Sequence, residues 1–263
     1  MTVLYEGVPR PGRVRYAAEL VAHLVRREFR LRYRRAILGW TWSIAEPLAR
    51  LGVMTFIFTK VFPLNIPDYP TYLFAGLIAM TWFSSGLTSA TTSAVDRSDL
   101  LFRPGLPRTI VPIVSVLTDG IDYVAALPVL TLFLVLGHGV PPTAVLLPLV
   151  MAIQFLLTVG IGFALCAANV YLRDVRLFLG VGLMVTFYLT PVFYSPDSIP
   201  ARYQWVIQVN PMAHLIADYR AILVQGEVPS LGGLATLAAV CAAAFVAGYA
   251  IYQRSSRSFV DEL

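Results

Sequence analysis

The sequence is short of charged residues, and lysine, histidine and cysteine are scarce. Only 13% of its 263 residues are Asp, Glu, Lys or Arg, whereas a soluble domain carries about 25%. Four stretches, 69–95, 123–172, 177–196 and 228–253, contain none of these four residue types. A helix needs about 20 apolar residues to cross a bilayer core. The shortage of charge therefore excludes a water-soluble enzyme, a disordered chain and a secreted disulfide scaffold, and it indicates a polytopic membrane protein.

The scarce residue types also exclude several kinds of site. Lys60 is the only lysine and Val61 follows it, so the chain has no Gly-Lys-Ser/Thr of a phosphate-binding loop. The three histidines are far apart and match no paired metal-ligand spacing. Cys166 and Cys241 both lie in apolar runs, where cysteine is a small core residue. We therefore expect no catalytic residue, no metal site and no cofactor bound by this chain itself.

Apolar segments of spanning length predict six transmembrane helices, at about 37–62, 72–95, 109–136, 143–170, 177–195 and 232–253. The third is the least clear, because Asp119 and Asp122 interrupt it. The predicted fold is an all-α integral membrane protein with a single six-helix transmembrane domain, residues 37–253. A cytoplasmic N-terminus, 1–36, precedes this domain, and a cytoplasmic tail, 254–263, follows it.

Arginine is distributed unevenly over these segments. With six spans both termini lie on one side, and the termini and loops of that side hold 16 arginines. The loops of the other side hold Arg202 and Arg220 alone. Cytoplasmic loops carry the excess of Lys and Arg, so both termini are expected to be cytoplasmic. The net charge of +5 is then an orientation signal in the cytoplasmic (inner) membrane and does not indicate nucleic-acid binding.

The segment 16–36, before the first span, has an amphipathic pattern. Val21, Val25, Phe29 and Tyr33 recur every four residues, and arginines occupy the neighbouring positions. An apolar stripe with an arginine-rich flank is typical of a helix that lies in the membrane interface. The alternative is a plain juxtamembrane topology signal.

The connection between the fifth and sixth predicted spans is long, from Ser195 to Gly232. It holds two apolar pieces, Tyr203–Val209 and Met212–Val224, and each is too short to cross a bilayer. Non-helical backbone is tolerated at membrane depth only where it is buried in protein or lines a cavity. We predict a pair of short re-entrant helices that enter from the outer face. An external loop with two surface helices is the alternative.

Five charged residues fall inside predicted spans, where charge by default marks function, and they are Glu46, Arg50, Lys60, Asp119 and Asp122. Glu46 and Arg50 are four residues apart and can pair with each other on one helical face. Asp119 and Asp122 share a face of the third span. They form a proton or cation site, pair with arginines of the N-terminal helix, or face a wet cavity; the sequence leaves these three alternatives open.

Several short motifs follow one another along the chain. They are Leu31–Trp42 with Glu46-Pro47-Leu48, Gly76–Phe83, Leu100–Arg103 with Leu106-Pro107-Arg108, Tyr171–Val175, and Thr190–Tyr194 with Ile199-Pro200, Asn210-Pro211-Met212 and Arg220. In this order they resemble the type-2 ABC transporter permeases of the polysaccharide-export group, which export O-antigen, capsule, galactan or teichoic acid. The resemblance covers nearly the whole chain.

The resemblance implies a homodimeric permease in contact with membrane lipids, bound to two copies of a separate ATPase subunit. The partner would bind ATP and Mg, and this chain would not be an enzyme. The substrate implied is a lipid-linked polysaccharide. A type-2 ABC exporter of drugs or small lipids is the alternative within transport. An intramembrane lipid-processing enzyme and a proton-coupled carrier are alternatives from other classes.

Three groups of site residues follow from the resemblance. The residues expected to couple to the ATPase are Arg27, Arg30, Arg34, Arg97, Asp99, Phe102, Arg103, Arg173 and Asp174. The aromatic residues expected to line a sugar channel along spans one, two and five are Tyr33, Trp40, Trp42, Phe56, Tyr72, Trp82, Phe83, Tyr188, Phe193 and Tyr194. The residues expected to form a re-entrant gate are Pro191, Asn210, Pro211 and Arg220. Topology arginines and interfacial aromatic belts are the alternative explanations for the first two groups.

Overall fold

The computed structural model describes residues 13–33, 41–101 and 106–259, and over these residues it contains helices and loops but no β-strand. The helices are α1 (Arg13–Tyr33), α2 (Trp42–Phe56), α3 (Tyr69–Asp96), α4 (Ser98–Leu101), α5 (Ile110–Gly137), α6 (Leu147–Tyr171), α7 (Val175–Leu189), α8 (Gln204–Gln208), α9 (Pro211–Arg220) and α10 (Leu231–Ser255). A π-helical segment, Ile57–Val61, continues α2, and a 3-10 turn, Pro142–Leu146, leads into α6. The all-α class is confirmed.

Four helical segments of the described chain are long and apolar enough to cross a membrane. They are Tyr69–Asp96, Ile110–Gly137, Pro142–Tyr171 and Leu231–Ser255. They correspond to the second, third, fourth and sixth predicted spans, with each boundary within about three residues of the expectation. The amphipathic helix before the first span is also present, as α1.

The fifth predicted span is shorter than expected, and the first is described only in part. The described part of the first is helical from Trp42 to Val61, and residues 34–40 lie outside the described chain. α7 has 15 residues, and the predicted span 177–195 extended too far at its C-terminal end. The cause is Pro191, because a residue before proline is pushed out of the helical region, and Thr190 is extended with ψ of 133°. The count of six spans stays a prediction.

α3 is the central helix of the bundle and packs against α2, α5, α6, α7 and α9. Its side chains Phe74, Ala79 and Ala90 are completely buried. α6 and α10 pack so closely that a Cβ atom on Gly248 would collide with the backbone of Gly160. Small residues at helix contacts are typical of membrane bundles, where close backbone approach and dispersion replace the hydrophobic effect.

Replacing Gly248 with alanine is expected to destabilise the bundle, because the added methyl group has no room against Gly160. Gly180 of α7 supplies the matched control, since a Cβ atom there meets no other atom within 4 Å. Replacing Gly180 with alanine is expected to stabilise α7 by up to about 1 kcal/mol, because alanine has the higher helix propensity. Thermal unfolding of the two purified variants in detergent checks this. A midpoint for G248A at or above that of G180A would contradict the packing.

Candidate functional site

Arg220, the last residue of α9, is an arginine of which only 3% is exposed. Its Nη1 donates to the carbonyl oxygen of Pro191 at 2.6 Å, and its Nη2 donates to that of Val192 at 2.5 Å. Its Nε donates to the carbonyl oxygen of Tyr72 at 3.2 Å, and its Cζ lies 3.5 Å from the centre of the Tyr72 ring. Gly76 leaves room for the guanidinium group, because a Cβ atom at this position would lie 2.9 Å from Nη2. One guanidinium therefore joins α9, α3 and the segment after α7.

The next two carbonyl groups of that segment are also satisfied by side chains. Tyr69 donates its hydroxyl to the carbonyl oxygen of Phe193 at 2.9 Å, and Tyr72 donates to that of Tyr194 at 3.0 Å. With the two bonds from Arg220, four consecutive carbonyl groups have partners inside the protein. Backbone at membrane depth finds no water, so such partners are what a non-helical segment requires there.

Asn210 connects the start of α9 to the end of α7. Its Oδ1 accepts the N–H of Met212 at 3.0 Å, which is the N-cap arrangement. Pro211 takes the first helical position, where its missing N–H costs nothing. The Nδ2 of Asn210 donates to Thr190 Oγ1 at 2.9 Å. The four predicted gate residues thus lie in one cluster, and their gating role stays a prediction.

The burial of α9 bears on the choice between a re-entrant helix and a surface helix. Leu215, Ile216 and Tyr219 are completely buried, and α9 packs against α3, α6 and α10. α8 differs, because its Trp205 is 60% exposed. The observed burial favours the re-entrant arrangement for α9 and leaves α8 at the surface.

An open groove of about 610 Å³ lies between α2, α3 and α7. Its lining is mostly apolar and includes three residues with polar groups, Arg50, Ser84 and Tyr188. These helices are the first, second and fifth predicted spans, along which the resemblance implies the channel. Phe187 also lines the groove and packs on Phe193, with ring centroids 6.1 Å apart. The groove therefore adjoins the cluster around Arg220.

Two further aromatic residues of these spans, Phe58 and Phe187, contact the predicted channel residues near the groove. Phe58 stacks on Phe193 with ring centroids 5.4 Å apart, and Phe187 packs on the other channel candidate Tyr188 at 5.6 Å. Phe193 also packs against Tyr194 at 5.0 Å. No signal in one sequence separates Phe58 from the other phenylalanines of the spans, because phenylalanine is common on lipid-facing and core-facing positions alike.

The other channel candidates lie apart from the groove. Phe56 is 62% exposed on α2, whereas Phe83 is buried in the core. Trp82 is also buried, and its Nε1 donates to the carbonyl oxygen of Val116 at 3.1 Å. Trp42 is half exposed and, with Trp82, lines a second cavity, which α1 and α5 also border. The lining of a channel by any of these rings stays a prediction.

An ion pair ties α1 to the α3–α4 connection. Glu28 Oε2 lies 2.9 Å from Arg97 Nη2, and Arg97 Nη1 donates to Ser115 Oγ of α5 at 2.5 Å. Leu24 of α1 is buried in the same cluster as Leu100 of α4. Arg97, predicted as a coupling residue, therefore holds α1, the α3–α4 connection and α5 together within the protomer. Ser115 and Glu28 were not singled out from the sequence.

The remaining predicted coupling residues fall into two groups. Those exposed on the described surface are Arg27, Arg30, Asp99, Arg173 and Asp174. Those outside the described residues are Arg34, Phe102 and Arg103. Among the channel candidates, Trp40 and the side chain of Tyr33 also lie outside.

Four of the five charged residues inside the predicted spans form ion pairs. Arg32 Nη1 of α1 lies 2.6 Å from Asp119 Oδ1 and 2.9 Å from Asp122 Oδ2 of α5. Of the three alternatives open for these aspartates, pairing with an arginine of the N-terminal helix is therefore confirmed, and both also line the second cavity. Glu46 and Arg50 pair as predicted, with Oε1 and Nη2 2.7 Å apart.

The fold and this cluster define a polytopic helical membrane protein. Residues 19–224 match the ABC-2 type transporter family, and the chain belongs to that family. This confirms the resemblance.

Its relatives include named export proteins. The O-antigen export system permease protein RfbA of Klebsiella pneumoniae is 30% identical over 216 residues, covering 81% of this chain and 83% of that protein. RfbA of Myxococcus xanthus is 32% identical over 248 residues, covering 93% and 95%. The polysialic acid transport protein KpsM of Escherichia coli is 26% identical over 239 residues, covering 89% and 92%.

Replacing Arg220 with glutamine is expected to lower the free energy of unfolding by about 2 kcal/mol or more, because each buried carbonyl left without a donor costs about 1–3 kcal/mol. The carbonyls concerned are those of Pro191 and Val192. Arg202→Gln is the matched control, since exposed Arg202 stacks on the ring of Tyr203 at 4.5 Å. Unfolding of both variants in detergent measures the difference, and equal stability would refute the role given to Arg220.

Proposed function

We propose that this chain is the permease subunit of an ABC exporter that moves a lipid-linked polysaccharide across the cytoplasmic membrane. The observation that carries the proposal is the groove between α2, α3 and α7, in a chain whose relatives are named for O-antigen export. Sugar rings pack their C–H faces on aromatic rings, while their hydroxyl groups hydrogen-bond to polar side chains. Tyr188, Phe187 and Ser84 supply both kinds of contact along the groove.

A second copy of the chain would close the groove into a channel. α7 has no buried residue, and the side chains of Arg50 and Glu46 on α2 are 55% and 62% exposed. A charged side chain that faces lipid at the bilayer centre costs about 2.5–3.5 kcal/mol, so this part of α2 is expected to face water or protein. Twofold symmetry is the commonest arrangement of identical subunits, and it brings two such grooves together.

The energy for export would come from two copies of a separate ATPase subunit that binds ATP and Mg. The exposed charges of α1, α4 and the α6–α7 loop offer that subunit a docking face on the cytoplasmic side. Glu28, Arg97 and Ser115 link α1, the α3–α4 connection and α5. A push by the ATPase on α1 or α4 would then move these elements together as a rigid body.

The test of the proposal combines the chain with an ABC ATPase subunit from the same organism. Inverted membrane vesicles that contain both subunits should take up lipid-linked polysaccharide when ATP is added. An ATPase variant without its phosphate-binding lysine is the control and should give no uptake. The proposal is wrong if the purified chain binds no ATPase subunit, or if vesicles with both intact subunits take up no polysaccharide.

Replacing Met184 with tryptophan is expected to lower export at least about tenfold, which corresponds to a barrier increase of about 1.4 kcal/mol. Met184 lines the groove, and the larger ring would fill it. Val185→Trp is the matched control, because Val185 is exposed on α7 but lies outside the groove lining. Surface polysaccharide in a deletion strain that carries each variant measures the effect.

The same strains supply the check on assembly. Both variants should reach the membrane in equal amounts and co-purify with the ATPase subunit. If V185W lowers export as much as M184W, the groove is not the path of the substrate.

A further inference from the structure

Two consecutive carbonyl groups at the C-terminal end of α10 are bound by side chains from two different segments. Tyr171, the last residue of α6, donates its hydroxyl to the carbonyl oxygen of Ser255 at 3.1 Å. Arg108, in the loop before α5, donates from Nη1 to the carbonyl oxygen of Ser256. The last carbonyl groups of a helix have no partner within it. The loop before α5 and the end of α6 therefore meet at the end of α10.

A second bond runs in the opposite direction between α10 and the loop before α5. Tyr252 of α10 is completely buried and donates its hydroxyl to the carbonyl oxygen of Arg108 at 3.0 Å. The N–H of Val111, in the first turn of α5, donates to the same carbonyl oxygen at 3.3 Å. Both the side chain and the backbone of Arg108 are thus held by α10, and the position of the loop follows that of the helix end.

The 3-10 turn that follows α10, Ser256–Ser258, leads into Phe259, whose side chain is completely buried. The Phe259 ring packs on Tyr252 and on Tyr171, with ring centroids 5.5 and 6.3 Å apart. Phe259 also belongs to the same buried cluster as Leu100 of α4. Buried aromatic rings contribute heavily to the packing of a core. Phe259 therefore fixes the turn against both of the tyrosines that hold the end of α10.

The two segments that meet at the end of α10 each belong to a motif of the sequence. Leu106-Pro107-Arg108 and Tyr171–Val175 are both part of the ordered set that resembles the polysaccharide-export permeases. Predicted ATPase-coupling residues accompany them and are exposed: Asp99 precedes the first motif, and Arg173 and Asp174 lie within the second. The end of α10 therefore connects two segments that each carry predicted coupling residues.

We propose that Arg108, Tyr171, Tyr252 and Phe259 form a lock that holds the loop before α5 and the α6–α7 loop in a fixed relation. A movement that the ATPase imposes on one loop would then reach the other, because the two loops move as one rigid unit. The four residues are positioning residues, which act through the coupling residues beside them. The proposal rests on the proposed function for the ATPase partner, whereas the lock itself lies within one protomer.

Hydrogen exchange of the full chain in lipid nanodiscs tests the lock without any partner. Two amides report on the two loops, that of Val111 and that of Val175, which donates to the carbonyl oxygen of Leu172 at 3.1 Å. Phe259→Ala is expected to raise the exchange rate of both amides at least about tenfold, because removal of a fully buried ring leaves a cavity. Tyr252→Phe keeps the ring and loses one hydrogen bond, so it should raise exchange at Val111 about threefold.

Tyr249→Phe is the matched control on the same helix. The hydroxyl of Tyr249 accepts a hydrogen bond from Gln253 Nε2 at 2.8 Å, and this bond lies within α10. Its loss should leave the exchange of both reporter amides unchanged. The lock is wrong if Phe259→Ala raises exchange within the turn after α10 alone and leaves Val111 and Val175 as they were.

Coupling is measured in vesicles that contain the chain and an ABC ATPase subunit from the same organism. Phe259→Ala should leave ATP hydrolysis in place and lower the polysaccharide taken up per ATP hydrolysed about tenfold. A residue with only a structural role would change the amount of assembled complex and not this ratio. Phe259→Leu, which keeps an apolar side chain, should restore most of the ratio. Ser258→Ala, a change of an exposed residue in the same turn, should not alter it.

An unchanged ratio in Phe259→Ala overturns the lock. If this variant does not reach the membrane, Tyr252→Phe decides in its place, because it keeps every ring carbon; its ratio should fall about threefold, and an unchanged ratio overturns the lock. Vesicles of the unaltered protein that take up no polysaccharide reject the exporter. Uptake by the unaltered protein, together with an unchanged ratio in the variants, rejects the lock alone.

Discussion

A non-helical segment inside a membrane protein must find hydrogen-bond partners within the protein, because the bilayer core offers no water. Arg220 meets this constraint for the segment after α7, with Tyr69 and Tyr72 serving the next two carbonyl groups. The same guanidinium needs the gap left by Gly76 on α3. The end of α7, the middle of the bundle and helix α9 are therefore positioned by one buried cation.

The early end of α7 has consequences for the rest of the molecule. Because α7 stops at Leu189, the aromatic residues that follow it turn back towards Phe58 and Phe187. The open groove between α2, α3 and α7 adjoins this turn. Near the C-terminal end of α3, the ion pair between Glu28 and Arg97 joins α1 to the bundle. α1 and α3 are thus connected by side-chain contacts, and α3 also lines the groove.

The sequence predicted the helical class, α1, and four spans. A long charge-free run can cross a bilayer only as a helix, because its backbone groups must then bond to each other. The predicted C-terminal end of α7 lay too far along the chain, because the apolar composition continues past Pro191, where the helix has already ended. Within the site, the spacing of Glu46 and Arg50 predicted their pairing. Arg32 was not singled out, because it is one of several arginines and only the packing of α1 against α5 selects it. Tyr69 and Gly76 were missed for the same reason: their roles depend on contacts distant in sequence.

The central claim is that the groove carries a hydrophilic substrate, and cysteine accessibility tests it most directly. The native Cys166 and Cys241 are completely buried, so background labelling by a charged thiol reagent should be low. Cysteines at Ser84 and Tyr188, which line the groove, should react in the assembled transporter and be protected by lipid-linked polysaccharide. Cysteines at Leu177 and Phe178, exposed on α7 away from the groove, should not show this protection. Labelling of all four positions that is equal and insensitive to substrate would contradict the account.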